Sequence, residues 1–495
     1  ITTGSRNIAI GGVALDNVDT ENDNVAIGYA ALGGAIDGGE LNVAIGNYSL
    51  DALTTGDRNT AIGYNALTAN TTGYYNTATG ANVLKGNTTG NLNVAMGESS
   101  LDANTTGDQN VAIGTYSLTS NTTAGGNTAI GTYASYYNTT GNRNVGVGFQ
   151  SLWYNTTGDK NVGIGYQSLY GADGSSSNDN TALGYKTGYA ITSGTDNVAV
   201  GSGALAANTT GGDNNAIGSA ALEANTTGDD NNAMGSDALV ANTTGTMNVA
   251  IGSDALAANT TASYNIAIGD QSLTANTTGT RNIAIGRNAL DAPDTENDNL
   301  AIGYDALGAA IAGGEFNVAI GNYSLDALTS GDKNTGVGYN ALTGVTSGSW
   351  NTAVGHEAGK AMTTGADNTA LGLSAGLAVT TGSRNIAIGG VALDAADAEN
   401  DNLAIGYAAL GGAIDGGEFN VAIGNYSLDA NTTGDYNLAM GINALTANTT
   451  GTRNIGIGPG ALDAPDTEND NLAIGYDALG GTIAGGEYNV AIGNY

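Results

Sequence analysis

Cysteine is absent from this 495-residue chain, so no disulfide, thiolate nucleophile or cysteine-ligated metal can contribute to it. Proline occurs three times and histidine once, as His356. A lone imidazole with no partner base or metal set argues against catalysis at that position. No stretch of about eighteen apolar residues is present to cross a bilayer as a helix. Positive charge is scarce too: 12 basic residues face 46 acidic ones, for a formal charge of −34, which repels phosphate backbones and anionic lipid and makes nucleic acid a poor partner. No signal peptide is visible and the first residue is Ile1, so the chain is expected to be mature or part of something longer.

Glycine, by contrast, is abundant at 80 residues, without the every-third spacing of collagen, so turns must use it. Its period is set by a five-residue unit first seen as Asn7-Ile8-Ala9-Ile10-Gly11 and present in twenty-nine copies, the last being Asn489-Val490-Ala491-Ile492-Gly493. Of the twenty-eight spacings between successive Asn, twenty-three are seventeen residues, four are eighteen and one is nineteen. Such regularity is the mark of a repeat array. With no shift of composition to divide it, residues 1–495 are expected to form one continuous repeat domain.

Numbered from its Asn, the consensus repeat is N-[VTIL]-A-I-G-x-x-[AS]-L-x-A-N-T-T-G-x-x. Apolar residues at positions two and four have the period of a strand, and Leu at nine with Ala at eleven repeats that alternation, which predicts a second short strand. Gly at five and the Asn-Thr-Thr-Gly run predict two turns. Two strands and two turns make a coil that can bury apolar side chains only by stacking on its neighbours. The expected fold is therefore all-β, a parallel β-solenoid of about twenty-nine coils forming an elongated rod, with Ile62, Met96 and Ile113 stacked in its core. An α-solenoid is excluded by the short repeat, the recurrent Gly and the helix-opposing Asn-Thr-Thr. The invariant Asn (Asn7, Asn24, Asn42, Asn59) and Gly (Gly11, Gly28, Gly46, Gly63) are expected to form structural ladders.

Position three is Ala in twenty-five repeats and Gly in four. If positions two and four face inward, position three faces outward, and its restriction to small residues makes Ala61, Ala112, Ala129, Ala216 and Ala250 a candidate self-association column, with tight curvature of the coil as the alternative explanation.

The core motif, as in Asn110-Val111-Ala112-Ile113-Gly114-Thr115-Tyr116-Ser117, resembles the head repeats of YadA-like trimeric autotransporter adhesins and, with Asn-Thr-Thr-Gly, the arrays of some bacterial surface and phage tail-fibre proteins. The resemblance spans the whole chain, although seventeen residues is longer than the usual adhesin repeat. It implies a parallel β-roll that associates as a trimer on a cell surface.

A three-coil module beginning near Thr3 recurs from Thr278, Thr381 and Thr450, and its last copy breaks off at Tyr495, so the natural chain is expected to continue. Each module replaces Asn-Thr-Thr-Gly with an acidic loop: Asp16, Asp19, Glu21 and Asp23 in the first, Asp291, Asp294, Glu296 and Asp298 in the second. Such carboxylates are the hard oxygen ligands that Ca²⁺ prefers, though without EF-hand spacing, and solvated loops are the ordinary alternative. Thirteen Asn-Thr-Thr units, among them Asn70, Asn104 and Asn155, satisfy the glycosylation pattern, while a turn role alone accounts for them. Tyr29, Tyr48, Tyr64, Tyr116, Tyr133 and Tyr166 at positions six and seven offer rings to sugars or to a neighbouring solenoid. Paired carboxylates recur with the repeat, whereas an active site would be a singular departure from it, so no enzyme is expected. The expected function is an extracellular structural fibre or adhesin acting by extension and multivalent contact, with self-association into a homo-oligomer or filament, surface carbohydrate as a further partner, and no cofactor unless Ca²⁺. A phage-type receptor-binding fibre shaft is the alternative, and an ice-binding Thr array (Thr71 and Thr72 and their equivalents) is a remoter one.

Overall fold

A computed structural model describes residues 3–17, 20–464, 466–481, 483 and 485–495. It comprises two compact units, Ile1–Met247 and Asn248–Tyr495, each of them a parallel β-solenoid. Among the described residues there are twenty-nine three-residue strands, fourteen in the first unit and fifteen in the second, and no helix. Each strand occupies positions two to four of its repeat. Neighbours pair in strict register, as where β4 (Thr60–Ile62) meets β5 (Thr77–Thr79) with Ala61 opposite Ala78.

Within each unit, hydrogen bonds leave the inner coils in both directions. In the fourth coil Thr60, Leu67, Ala69 and Thr71 donate their N–H groups forward, to Asn76, Val83, Lys85 and Thr88, at 2.8–3.2 Å, while Gly63, Asn65 and Tyr75 donate back to Ile45, Asn47 and Asp57 at 2.7–3.1 Å. The backbone thus finds its partners along the stack, and the turns are as fully engaged as the strands.

The interior reverses the expected facing of the strand. Ala61, Ala112, Ala129, Ala216 and Ala250 at position three are fully buried, and Ile62, Met96 and Ile113 lie outside, 38 %, 49 % and 36 % exposed. The self-association column is therefore corrected: those alanines fill the inside of their own coil. The reason they are small is volume. At Gly146, which replaces one of them, an added Cβ would lie 2.7 Å from the Ser135 hydroxyl and 3.1 Å from that of Ser151, so even a methyl there would displace its neighbours, and nothing larger than the methyl of Ala is found at the equivalent positions.

The second strand is corrected as well. Positions six to eleven form a continuous turn, in which Asn65 and Leu67 have φ of +54°. Position eight and position nine both point inward, Ala66 and Leu67 each being fully buried, which no strand allows for consecutive residues. Leu at nine is the large residue of the core, and Asn at one and twelve, Ala at three and Ala or Ser at eight complete it. A left-handed Leu is disfavoured by roughly 1–2 kcal/mol relative to its right-handed form. Its burial and its ladder bond, Leu67 N–H to Val83 O at 3.0 Å, offset that.

Candidate functional site

Two internal asparagine ladders hold the coils in register. At position one, the amide oxygen of Asn7 accepts from the backbone N–H of Asn24, that of Asn24 from Asn42 and that of Asn42 from Asn59, at 2.8–2.9 Å. Each amide also donates across its coil, as from Asn59 Nδ2 to Gly73 O at 2.8 Å. At position twelve, Asn87 Nδ2 donates to Asn70 Oδ1 at 2.9 Å and Asn104 Nδ2 to Asn87 Oδ1 at 2.7 Å. Asn70, Asn104 and Asn155 are thereby removed from the list of glycan acceptors: they are 0 %, 0 % and 3 % exposed, and Nδ2 of Asn155 donates to Gly158 O at 3.0 Å. An amide nitrogen inside the coil has no room for a sugar.

Glycine at position five turns the chain out of the strand. Gly11, Gly28, Gly46 and Gly63 have φ of +134°, +137°, +131° and +140°, and a Cβ at Gly63 would lie 2.1 Å from the carbonyl oxygen of Gly80 in the next coil. Both the dihedral and the close approach require a residue without a side chain.

Most carboxylates of the acidic loops are bonded to donors of the chain itself. Glu296 takes the place of the Gly at position fifteen and is buried, with its carboxylate accepting from the N–H groups of Asp294 and Thr295, each at 3.0 Å, and of Gly313 at 2.9 Å. Gly313 belongs to the eighteen-residue coil that follows, so the glutamate clamps the one-residue insertion. Glu468 does the same with Gly485, and these backbone donors hold its carboxyl below the usual range. Gly38 N donates to Glu21 Oε1 at 2.9 Å. Asp298 receives both arms of Arg281 at 2.6 and 2.7 Å, and Asp23 pairs with Arg6 at 2.5 and 2.6 Å. Asp294 accepts from the Thr277 hydroxyl at 2.5 Å, Asp16 stands exposed, and Asp19 lies outside the described residues. Among the described residues no three acidic or imidazole groups converge to hold a metal ion. Protein donors thus engage Glu21, Asp23, Asp294, Glu296 and Asp298, whereas Asp16 is exposed and Oδ1 of Asp291 is buried without a partner.

A different acidic pairing was not foreseen. At position ten, the first and third coils of a module carry Asp and the middle coil carries Gly, giving Asp291, Gly308 and Asp326 in one module and Asp394, Gly411 and Asp429 in another. A Cβ on Gly308 would meet Asp326 Oδ1 at 2.9 Å, so the carboxylate leans over the gap that Gly leaves. Burial, and then the charge of Asp305, pushes the Asp326 carboxyl up, and burial raises Asp291, Asp394 and Asp429 too.

The outward face of the strands is a continuous chemical feature within each unit. Positions two and four are apolar at 48 of 58 places, and the remaining ten carry Thr or Asn. None of the 58 charged residues stands there, although the chain has a formal charge of −34. Within each unit the side chains stand in parallel register, as in Val94–Val111–Thr128 and Met96–Ile113–Ile130, the last three 36–49 % exposed. At about 4.8 Å per strand and a strip roughly 10 Å wide, each unit presents on the order of 700 Å², near the roughly 800 Å² per partner of a standard protein interface. The sequence signal for this face was the apolar pair at two and four, which the assumption of an apolar core had turned inward.

The tyrosines at positions six and seven stand outside, Tyr29, Tyr64 and Tyr166 being 51 %, 53 % and 44 % exposed. They stack on rings of adjacent coils, as Tyr166 does on Phe149 at 5.5 Å and Tyr116 on Tyr133 at 5.4 Å. His356 is exposed and stacks on Tyr339 at 5.3 Å. No family model matches the chain, and no curated protein matches it.

Proposed function

We propose that the chain is a non-catalytic structural repeat of an extracellular fibre or surface adhesin, whose outward sheet face is covered by further copies of itself and whose strength comes from many weak, regularly spaced contacts. The observation that carries this reading is the charge-free face. Solvent alone would admit Lys, Glu or Asp at positions two and four, and an in-register sheet that keeps one face apolar over so many strands favours a covering layer. Edge-on charge at positions ten, sixteen and seventeen keeps the remaining surface soluble and confines association to that face. Repetition supports the multivalent mechanism, since each added coil adds the same contact at no new entropy of encounter.

Light scattering over a range of concentrations tests the reading, with the variant Ile130→Glu, Ile251→Glu, Ile268→Glu beside the parent. The parent is expected at a multiple of the single-chain mass. The variant is expected at the single-chain mass with its β circular-dichroism signal retained. A parent that stays at the single-chain mass throughout overturns the proposal.

A further inference from the structure

Four times among the described residues, tyrosines of adjacent coils meet in the same geometry, the last pair being Tyr476 and Tyr495 at 5.6 Å and 73°. Tyr29 and Tyr48 have ring centroids 5.5 Å apart at 76°, Tyr304 and Tyr323 5.5 Å at 79°, and Tyr407 and Tyr426 5.5 Å at 73°. A third ring extends two of the columns, Tyr64 at 6.1 Å from Tyr48 and Tyr339 at 6.0 Å from Tyr323. A backbone bond fixes each pair, from the N–H of Tyr48 to Tyr29 O at 2.9 Å, of Tyr323 to Tyr304 O at 3.0 Å, of Tyr426 to Tyr407 O at 2.9 Å and of Tyr495 to Tyr476 O at 2.9 Å. The rings are reachable from solvent, Tyr29, Tyr48 and Tyr64 being 51 %, 36 % and 53 % exposed.

We propose that these columns are oxidative cross-linking sites, at which a peroxide-driven peroxidase joins tyrosines of adjacent coils as dityrosine. In each ring the phenol loses one electron and its hydroxyl proton, giving a phenoxyl radical whose spin reaches the carbon ortho to oxygen. Two such radicals on neighbouring rings form one carbon–carbon bond. The two ortho hydrogens then move to the oxygens and restore both phenols. The pair has lost two electrons and two protons, and one hydrogen peroxide accepts them to become two waters.

The chain's composition gives this chemistry a place. With no cysteine and 24 tyrosines, phenol coupling is the oxidative route by which its coils can be joined covalently to one another. Packed rings held by a backbone bond meet as an intramolecular pair, so coupling within a chain outruns encounter between chains in dilute solution. The proposal rests on contacts within one chain and stands whether or not copies associate.

Horseradish peroxidase with hydrogen peroxide, applied to the full chain, tests it by dityrosine fluorescence and by mass spectrometry of the cross-linked peptides. Links 29–48, 304–323, 407–426 and 476–495 are expected, each with the loss of two hydrogens, in a yield unchanged by tenfold dilution. Tyr48→Phe keeps the ring and removes the phenol, so it is expected to abolish the links to Tyr29 and Tyr64 and leave 304–323 intact. Tyr264 is exposed and has no aromatic neighbour among the described residues, so it is expected to remain uncoupled within the chain. Absence of dityrosine, a yield that falls with dilution, or links centred on Tyr264 would each overturn the proposal.

Discussion

Removal of a single ladder side chain reads out how the coils are held. In Asn93→Ala, two donations disappear, from Nδ2 to Asn76 Oδ1 at 3.1 Å and to Gly107 O at 2.9 Å, and so do two acceptances at Oδ1, from the backbone N–H of Asn110 at 3.0 Å and from its amide at 3.2 Å. Not all of these leave an orphan. Gly107 O keeps the Asn104 amide at 3.0 Å, Asn76 Oδ1 keeps the Asn93 N–H at 3.0 Å, and the Asn110 amide keeps Ala124 O at 2.9 Å. The Asn110 N–H alone is left unpaired in a residue that is 0 % exposed, at about 1–3 kcal/mol, and the weakened partners add about 1–2 kcal/mol. The sum, about 2–5 kcal/mol, falls on the coils on either side of the mutation, because a repeat array opens locally and has no single unfolding free energy. Hydrogen exchange resolved by peptide is therefore the assay. Amides of residues 93–113 are expected to exchange roughly 30-fold to several-thousand-fold faster, with those of the second unit unchanged. Thr72→Ala, at an exposed hydroxyl, is the control. Equal protection in Asn93→Ala and Thr72→Ala would refute the claim that the amides hold the stack.

Other perturbations separate inside from outside. Ala129→Glu places an unpaired carboxylate in the coil interior and is expected to cost several kcal/mol and to abolish local β signal, while Ile130→Glu one residue on leaves circular dichroism unchanged. Leu67→Ala removes a fully buried side chain and is expected to cost about 3–5 kcal/mol, measured by exchange in coils three to five. Stability should pass through a maximum on mild acidification. The raised carboxyls of Asp291, Asp326, Asp394 and Asp429 are unfavourable while ionised, so stability rises as pH falls through their folded-state values above the ordinary aspartate range. The depressed carboxyls of Glu468 and Asp298 contribute above their unfolded values, and that contribution is lost as pH falls through their lower folded values. Melting temperature against pH checks the shape, and a monotonic fall from neutral pH would contradict it.

Period, class and stacking were legible because they depend on spacing. The invariant Asn and Gly at positions one and five announce a ladder and a turn, since few other roles demand those residues at every repeat. Facing was not legible. A strand of three residues has one inward side chain and two outward ones, or the reverse, and hydrophobicity alone favours putting Ile and Val inside. What decides is the width of the coil: at Gly146 an added Cβ would already meet Ser135, Ser151 and Leu152 at 2.7–3.4 Å, so position three admits no side chain larger than a methyl. The false second strand has a related cause. Leu and Ala at nine and eleven imitate a period of two, but Leu67 and Asn65 have positive φ, a conformation that propensity assigns to Gly or Asn and that here is imposed by ladder bonds to the neighbouring coils. In the acidic loops the sequence shows the carboxylates and not the N–H groups and guanidiniums that bond most of them.

That same narrowness links fold to function. A seventeen-residue coil that spends its interior on asparagine amides, two small side chains and one leucine cannot also enclose positions two and four of its strand, so whatever stands at those positions faces outward. Shortening those residues to Ser or Thr would remove the apolar surface without touching the core, and the coil would still close through its Asn and Gly. Yet 48 of the 58 positions stay apolar, while Lys, Arg, Asp and Glu are excluded from all of them. The constraint on these positions thus does not come from folding of the single chain. On the proposed reading it comes from a covering layer, and a copy of the same chain, with the same rise per coil and the same side chains in register, is the partner whose spacing would match without adjustment.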